Sequence, residues 1–162
     1  MHYDHYLSPI GPLLLVADDV GLRQLWLPNE LISRVIPASW RHDGAFPLLQ
    51  RTRTLLDAYF AGQRPDWHDL PLAPQGTPFQ QQVWQQLCVL SYGESSHYAA
   101  LAERLGNPRA VRAVGGAVGR NPIAILIPCH RILGKAGNLT GYSGGLAIKQ
   151  ALLDLEGIPY HA

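Results

Sequence analysis

Gly106-Asn107-Pro108-Arg109-Ala110-Val111-Arg112-Ala113-Val114-Gly115-Gly116-Ala117-Val118-Gly119-Arg120 is the stretch that decides the fold. Gly106 reads as the stop of a short helix running from about Tyr98 to Leu105. Asn107 reads as an N-cap and Pro108 as the first residue of a second helix, which ends near Gly119. Two short helices joined by a Gly-containing turn are the outline of a helix-turn-helix. At 3.6 residues per turn, Ala110, Val111, Val114, Ala117 and Val118 fall on one side of the second helix. Arg109, Arg112, Ala113, Gly116, Gly119 and Arg120 fall on the other. Gly115, Gly116 and Gly119 each weaken a helix by about 1 kcal/mol relative to Ala. A helix bearing that cost needs its backbone close to something. A phosphate backbone, a groove floor and a second packed helix all meet the requirement.

Downstream, the apolar run Ile123-Ala124-Ile125-Leu126-Ile127 reads as a buried strand and leads into Pro128-Cys129-His130-Arg131. A cysteine beside a histidine and an arginine sits in an electropositive neighbourhood, which favours the nucleophilic thiolate. A buried cysteine can equally be a small hydrophobe. Asn121 precedes the run, and Gly141-Tyr142-Ser143-Gly144-Gly145 forms a glycine-rich turn after it. A last helix spans Leu146 to Gly157. Glu156 follows Leu152 by four residues and Leu153 by three, so a carboxylate shares the apolar stripe. An acid at a helix carboxyl end is electrostatically misplaced, and a partner such as His130 would explain it. A frayed, solvated glutamate is the alternative.

Upstream of residue 76 the pattern changes. Tyr3 to Leu7, Leu13 to Ala17 and Leu22 to Leu27 read as short strands separated by turn residues. A helix follows from about Pro47 to Ala61, with Gly62 placed to stop it. A proline-punctuated stretch from Arg64 to Pro78 marks a boundary between lobes, residues 1–75 and 76–162. Thr77 and Pro78 then open a helix running to about Leu90. The formal net charge of +1 hides an asymmetry. Residues 1–75 carry six Arg and eight acids, giving −2; residues 76–162 carry seven Lys or Arg and four acids, giving +3. Such asymmetry fits a polyanion on the second lobe, or a solvated basic face. The 47% apolar and 15% charged composition excludes a disordered chain. No apolar run is long enough to span a bilayer, and no signal peptide is evident. Cys88 and Cys129 are the only cysteines and form no metal spacing; Cys88 reads as core. A reducing cytoplasm is the expected compartment.

Together these pieces resemble the methylated-DNA–protein-cysteine methyltransferases, the O6-alkylguanine-DNA alkyltransferases. The likeness is carried by Thr77-Pro78-Phe79-Gln80, the Gly106–Gly115 stretch, Asn121-Pro122, Pro128-Cys129-His130-Arg131, Thr140-Gly141-Tyr142-Ser143-Gly144-Gly145 and Leu152-Leu153-Asp154-Leu155-Glu156-Gly157. It extends more loosely to Ser8-Pro9-Ile10-Gly11-Pro12-Leu13 and Asp57-Ala58-Tyr59-Phe60-Ala61-Gly62. Ser91-Tyr92-Gly93-Glu94 departs from it, since many relatives have proline before the tyrosine.

The resemblance implies an α/β (α+β) fold. A small ribonuclease-H-like lobe of sheet and helix would precede a mostly helical lobe with a winged helix-turn-helix. It implies irreversible, stoichiometric transfer of an alkyl group from guanine O6 to Cys129, possible also from O4-alkylthymine. His130 would deprotonate the thiol through a water, with Glu156 orienting the imidazole and Asn121 holding the turn. Tyr98 would push on the target phosphate and donate a hydrogen bond to the base. Arg112 would fill the stack left by the flipped base. Ala110, Ala113, Gly115, Arg109 and Arg120 would meet double-stranded DNA through its minor groove. Tyr142, Ser143, Pro128 and Gly144 would line the base pocket. The resemblance implies a monomer with no cofactor and no metal. A DNA-binding sensor without chemistry and a turnover cysteine hydrolase are the competing classes.

Overall fold

Strand β1 (His2–Ser8) buries Asp4, Tyr6 and Ser8 and exposes His5 and Leu7, the period-two signature of a half-covered strand. It pairs antiparallel with β2 (Gly11–Ala17), placing Ser8 opposite Gly11. The Ser8 hydroxyl donates to Gly11 O at 2.7 Å across that turn. In β2 every residue from Leu13 to Ala17 is buried, as befits an inner strand. The sheet order is β3-β2-β1-β4, with β3 (Leu22–Trp26) antiparallel to β2 and β4 (Arg41–His42) parallel to β1. Between these strands lies α1 (Pro28–Ser33), and α2 (Pro47–Phe60) follows, burying Leu49, Thr52, Leu56 and Tyr59. The computed structural model describes residues 1–162, which form two units, Met1–Gln75 and Gly76–Ala162.

The second unit opens on α3 (Pro78–Cys88). The Thr77 hydroxyl accepts from Gln80 N at 3.1 Å, and Thr77 N donates to Gln80 Oε1 at 2.9 Å, a complete capping box. Trp84 on the buried face donates its indole N–H to Ala117 O at 2.9 Å. That bond ties α3 to α5 (Val111–Gly119), which follows α4 (Tyr98–Arg104). Strand β5 (Ser96–His97) pairs parallel with β6 (Ile132–Leu133). The last helix, α6 (Leu146–Glu156), buries Lys149, Leu152, Leu153 and Glu156 and ends on Gly157 at φ +72°. Lys149 and Glu156 are thus charged residues in an otherwise apolar stripe.

Four expectations need correction. The helix expected from Pro108 begins at Val111, because Asn107 to Ala110 close a turn first, with Ala110 N on Asn107 O at 3.0 Å. Val111, expected on the buried side, is 36% exposed, while Val114, Ala117 and Val118 are buried. The run Ile123–Ile127 is buried throughout but is no strand. It closes on itself as a turn, through Leu126 N on Ala124 O and Ile127 N on Ile123 O. At its centre Ile125 holds φ +72°, a left-handed conformation that strains a β-branched residue. Cys88, expected in the core, is exposed on α3.

Candidate active site

Asn121 organises the buried turn. Its Nδ2 donates to Ile127 O at 2.7 Å, and its Oδ1 accepts from Ile123 N at 2.9 Å. One side chain thereby replaces the two ladder bonds that a strand would have supplied. The turn delivers Pro128 and then a single 3-10 turn, Cys129–Arg131. A 3-10 turn sends successive side chains about a third of a turn apart. Cys129 lines a cavity of about 330 Å³, while His130 and Arg131 both reach Glu156.

The glutamate is almost fully enclosed. Its Oε2 lies 2.5 Å from His130 Nε2; its Oε1 accepts from Arg131 Nε at 2.7 Å and from Gly93 N at 3.0 Å. Arg131 is further fixed by donating to Leu90 O at 2.8 Å. Burial alone would raise the Glu156 pKa, but the bonds from His130, Arg131 and the Gly93 amide hold it well below the usual carboxylate range. Burial pushes the His130 pKa down, against the pull of Glu156 and helped by the charges of Arg131 and Lys149. The ring is therefore a neutral imidazole. An ionised carboxylate only accepts, so Nε2 carries the proton and Nδ1 the lone pair. Nδ1 is buried and has no protein partner.

Burial also pushes the Cys129 thiol up; hydrogen bonds to Asn121 and Tyr142 and the charge of Lys149 only partly pull it back. The sequence expectation of a thiolate favoured by its neighbours His130 and Arg131 is therefore corrected. Those two side chains turn towards Glu156, and the cation that acts on the sulfur is Lys149, twenty residues on in the chain. Lys149 Nζ donates to Ile132 O at 2.7 Å, to Thr140 Oγ1 at 3.1 Å and to Thr140 O at 3.3 Å. Burial pulls its pKa down to about 8, partly offset by Cys129.

The cavity is lined by Tyr98, Gly115, Val118, Gly119, Cys129, Gly141, Tyr142 and Ser143. Tyr98 opens α4, and its hydroxyl lies 3.1 Å from Thr140 Oγ1. A Cβ on Gly115 would meet the Tyr98 ring at 3.8 Å, an ordinary contact. Pro128 and Gly144 are buried and do not line it. Arg109, Arg112, Ala113 and Arg120 are exposed, and Ala110 is half-buried. Sequence reasoning gave Arg131 to the thiol instead of to Glu156 and overlooked the roles of Thr140 and Lys149. The signal for Lys149 was its place three residues before Leu152 in the apolar stripe of α6.

No helix is long and apolar enough to cross a membrane. The family model described as the 6-O-methylguanine DNA methyltransferase DNA binding domain matches residues 78–158. The ribonuclease-like domain of the same description matches residues 1–74. The chain belongs to the methylated-DNA–protein-cysteine methyltransferase family. The Haemophilus influenzae methyltransferase of that name is 46% identical over 99% of this chain and 88% of its own. The Methanosarcina barkeri methyltransferase is 48% identical over 96% and 97%. Among solved structures, Mycobacterium tuberculosis OGT in complex with DNA superposes with a TM-score of 0.86 at 43% identity, covering 96% of this chain and 92% of that one.

Proposed function

We propose that this methyltransferase repairs DNA by direct reversal, Cys129 taking the alkyl group from O6 of a guanine flipped out of the double helix. The observation that carries the reading is the placement of one thiol on a base-sized cavity, with a buried imidazole–carboxylate pair beside it. A base inside a duplex cannot be reached, so extrusion into such a cavity is required. Displacement at carbon by sulfur needs a thiolate, and the resting group is a thiol. His130 Nδ1 carries the lone pair that takes the proton, with a water completing the path, and Glu156 stabilises the imidazolium that results. Asn121 holds the turn and hydrogen-bonds the sulfur. Tyr98, at the cavity wall, supplies a proton to the departing guanine. Tyr142 and Ser143 flank the base.

DNA docks on the second unit, residues 76–162. The exposed side of α5 and the turn before it meet the minor groove with Ala110, Ala113 and Gly115, where small residues allow close approach. Arg109 and Arg120 supply charge to phosphates, and Arg112 fills the gap in the stack. The thioether formed has no route to hydrolysis, so each molecule acts once, in the cytoplasm, where the thiol stays reduced. Incubation with an O6-methylguanine duplex should add one methyl mass to the Cys129 peptide and stop at one equivalent. Repeated turnover favours a hydrolase; tight binding without added mass favours a sensor.

A further inference from the structure

The mechanism above leaves one buried cation without a task and one proton without a source. Tyr98 can donate its proton once, and it is left as a phenolate unless resupplied. Its hydroxyl lies 3.1 Å from Thr140 Oγ1, which in turn accepts from Lys149 Nζ at 3.1 Å. A hydroxyl has one proton and two lone pairs, whereas an ammonium only donates. Because Lys149 fills a lone pair of Thr140, the Thr140 proton is free to point at Tyr98. The Tyr98 proton is then turned into the cavity that its ring lines.

We propose that the Thr140 hydroxyl is a proton relay that joins Lys149 to Tyr98 and carries the lysine's proton to the guanine as its alkyl group leaves. The inference rests on the transferase reading and deepens it. The S–C bond forms as the C–O6 bond breaks, and the bonding electron pair goes to the guanine. The base takes a proton from Tyr98, Tyr98 takes one from Thr140, and Thr140 takes one from Lys149. Lys149 ends as a neutral amine and Cys129 as a neutral thioether.

The electrostatics favour that direction. The charged groups that act on Lys149 are Cys129 and His130. Before transfer, a thiolate faces the ammonium and supports its charge. Transfer removes the thiolate, and His130 has by then gained a proton. The ammonium is left buried, at 1% exposure, beside another cation. Burial penalises the charged form of an amine, so the proton is released when the base needs it. The other two acceptors of Nζ are the carbonyls of Ile132 and Thr140. They hold the amine in place in either state.

Thr140 is on this reading a positioning residue, and its effect should depend on whether the leaving group needs a proton. The test compares two alkyl donors, an O6-methylguanine duplex and iodoacetamide, whose iodide leaves unprotonated. Cys129 peptides are weighed over time for the unmodified protein, Thr140→Val and Thr140→Ser. Thr140→Val should slow transfer from the duplex by roughly tenfold or more, less than the roughly 10²-fold of losing a positioned donor outright, because Tyr98 keeps its own proton. Its rate with iodoacetamide and its affinity for the duplex should be unchanged. Thr140→Ser should restore transfer. Thr140→Ala, which adds no atom, gives the same comparison where the valine does not fold. Equal losses with both donors, no loss with the duplex, or no rescue by serine would overturn the relay. An unmodified protein that reacts with iodoacetamide yet takes no methyl from the duplex overturns the transferase reading itself.

Discussion

A carboxylate only 3% exposed persists at Glu156 because an imidazole, a guanidinium and a backbone amide all donate to it. Removing one partner of such a group leaves the others uncompensated in a low-dielectric interior. Glu156→Gln tests both its structural and its chemical weight. The amide oxygen can still accept from Arg131, but its NH2 would face His130 Nε2. The ring would then turn its lone pair to Nε2 and its proton to Nδ1, away from the task proposed for it. Transfer to Cys129 should fall by roughly 10²-fold or more, as expected on losing a general base. Denaturant melts should show a loss of about 3 kcal/mol, the low end for breaking a buried pair. Glu156 was legible in the sequence because its i−3 and i−4 neighbours are leucines. The partners of Arg131 and Thr140 were not, since they lie in other segments, and the stripe that marks Lys149 as buried does not say what it meets. Arg131 meets Glu156 across 25 positions, and Tyr98 meets Thr140 across 42.

Helix α5 does two things at once. Val114, Ala117 and Val118 anchor it, while Arg112 and Ala113 stand in solvent on its other side. Arg112→Ala should slow transfer from duplex DNA far more than from a free benzylated guanine, because only the duplex needs its stack filled. Equal losses with both substrates, measured by labelling of Cys129, would remove that role. Local sequence chemistry fixed the start of α3, where Thr77, Pro78 and Gln80 act within one turn. It failed at α5, where the Asn107-Pro108 signal opens a turn rather than the helix. It failed too at Ile123–Ile127, since five apolar residues carry no periodicity to separate a strand from a buried turn. Helix α1, with six residues, and β4, with two, are too short to show any period.

At the scale of the molecule, stability should follow pH through the second unit. His130 has its pKa lowered from an ordinary 6.5 by burial. The unfolded chain therefore binds a proton first, and stability rises with pH across that window. The His130 contribution is fully present above about pH 6.5 and declines as the pH falls through the range between the unfolded and folded values. Glu156, lowered from 4.5, adds a further loss in the same direction at lower pH, once the unfolded carboxylate begins to protonate. Melting temperatures recorded from pH 8 to pH 4 should fall in two stages. The first stage should be absent in His130→Gln, and a single late fall in the unmodified protein would contradict a buried neutral imidazole. The division of labour was visible in the charges, −2 in residues 1–75 and +3 in residues 76–162. Every side chain named in the site comes from the second unit.

Gly119 and Gly141 line the cavity, and a Cβ on either would meet nothing within 4 Å. Neither has a backbone that only glycine adopts. The fold therefore admits a Cβ at either position, and a small side chain there would narrow the cavity at little cost in stability. Natural variation at these two positions would alter which lesions a lineage can clear while its cavity-bearing scaffold stays the same. A cell exposed to bulkier alkylating agents could keep both glycines and the room they leave.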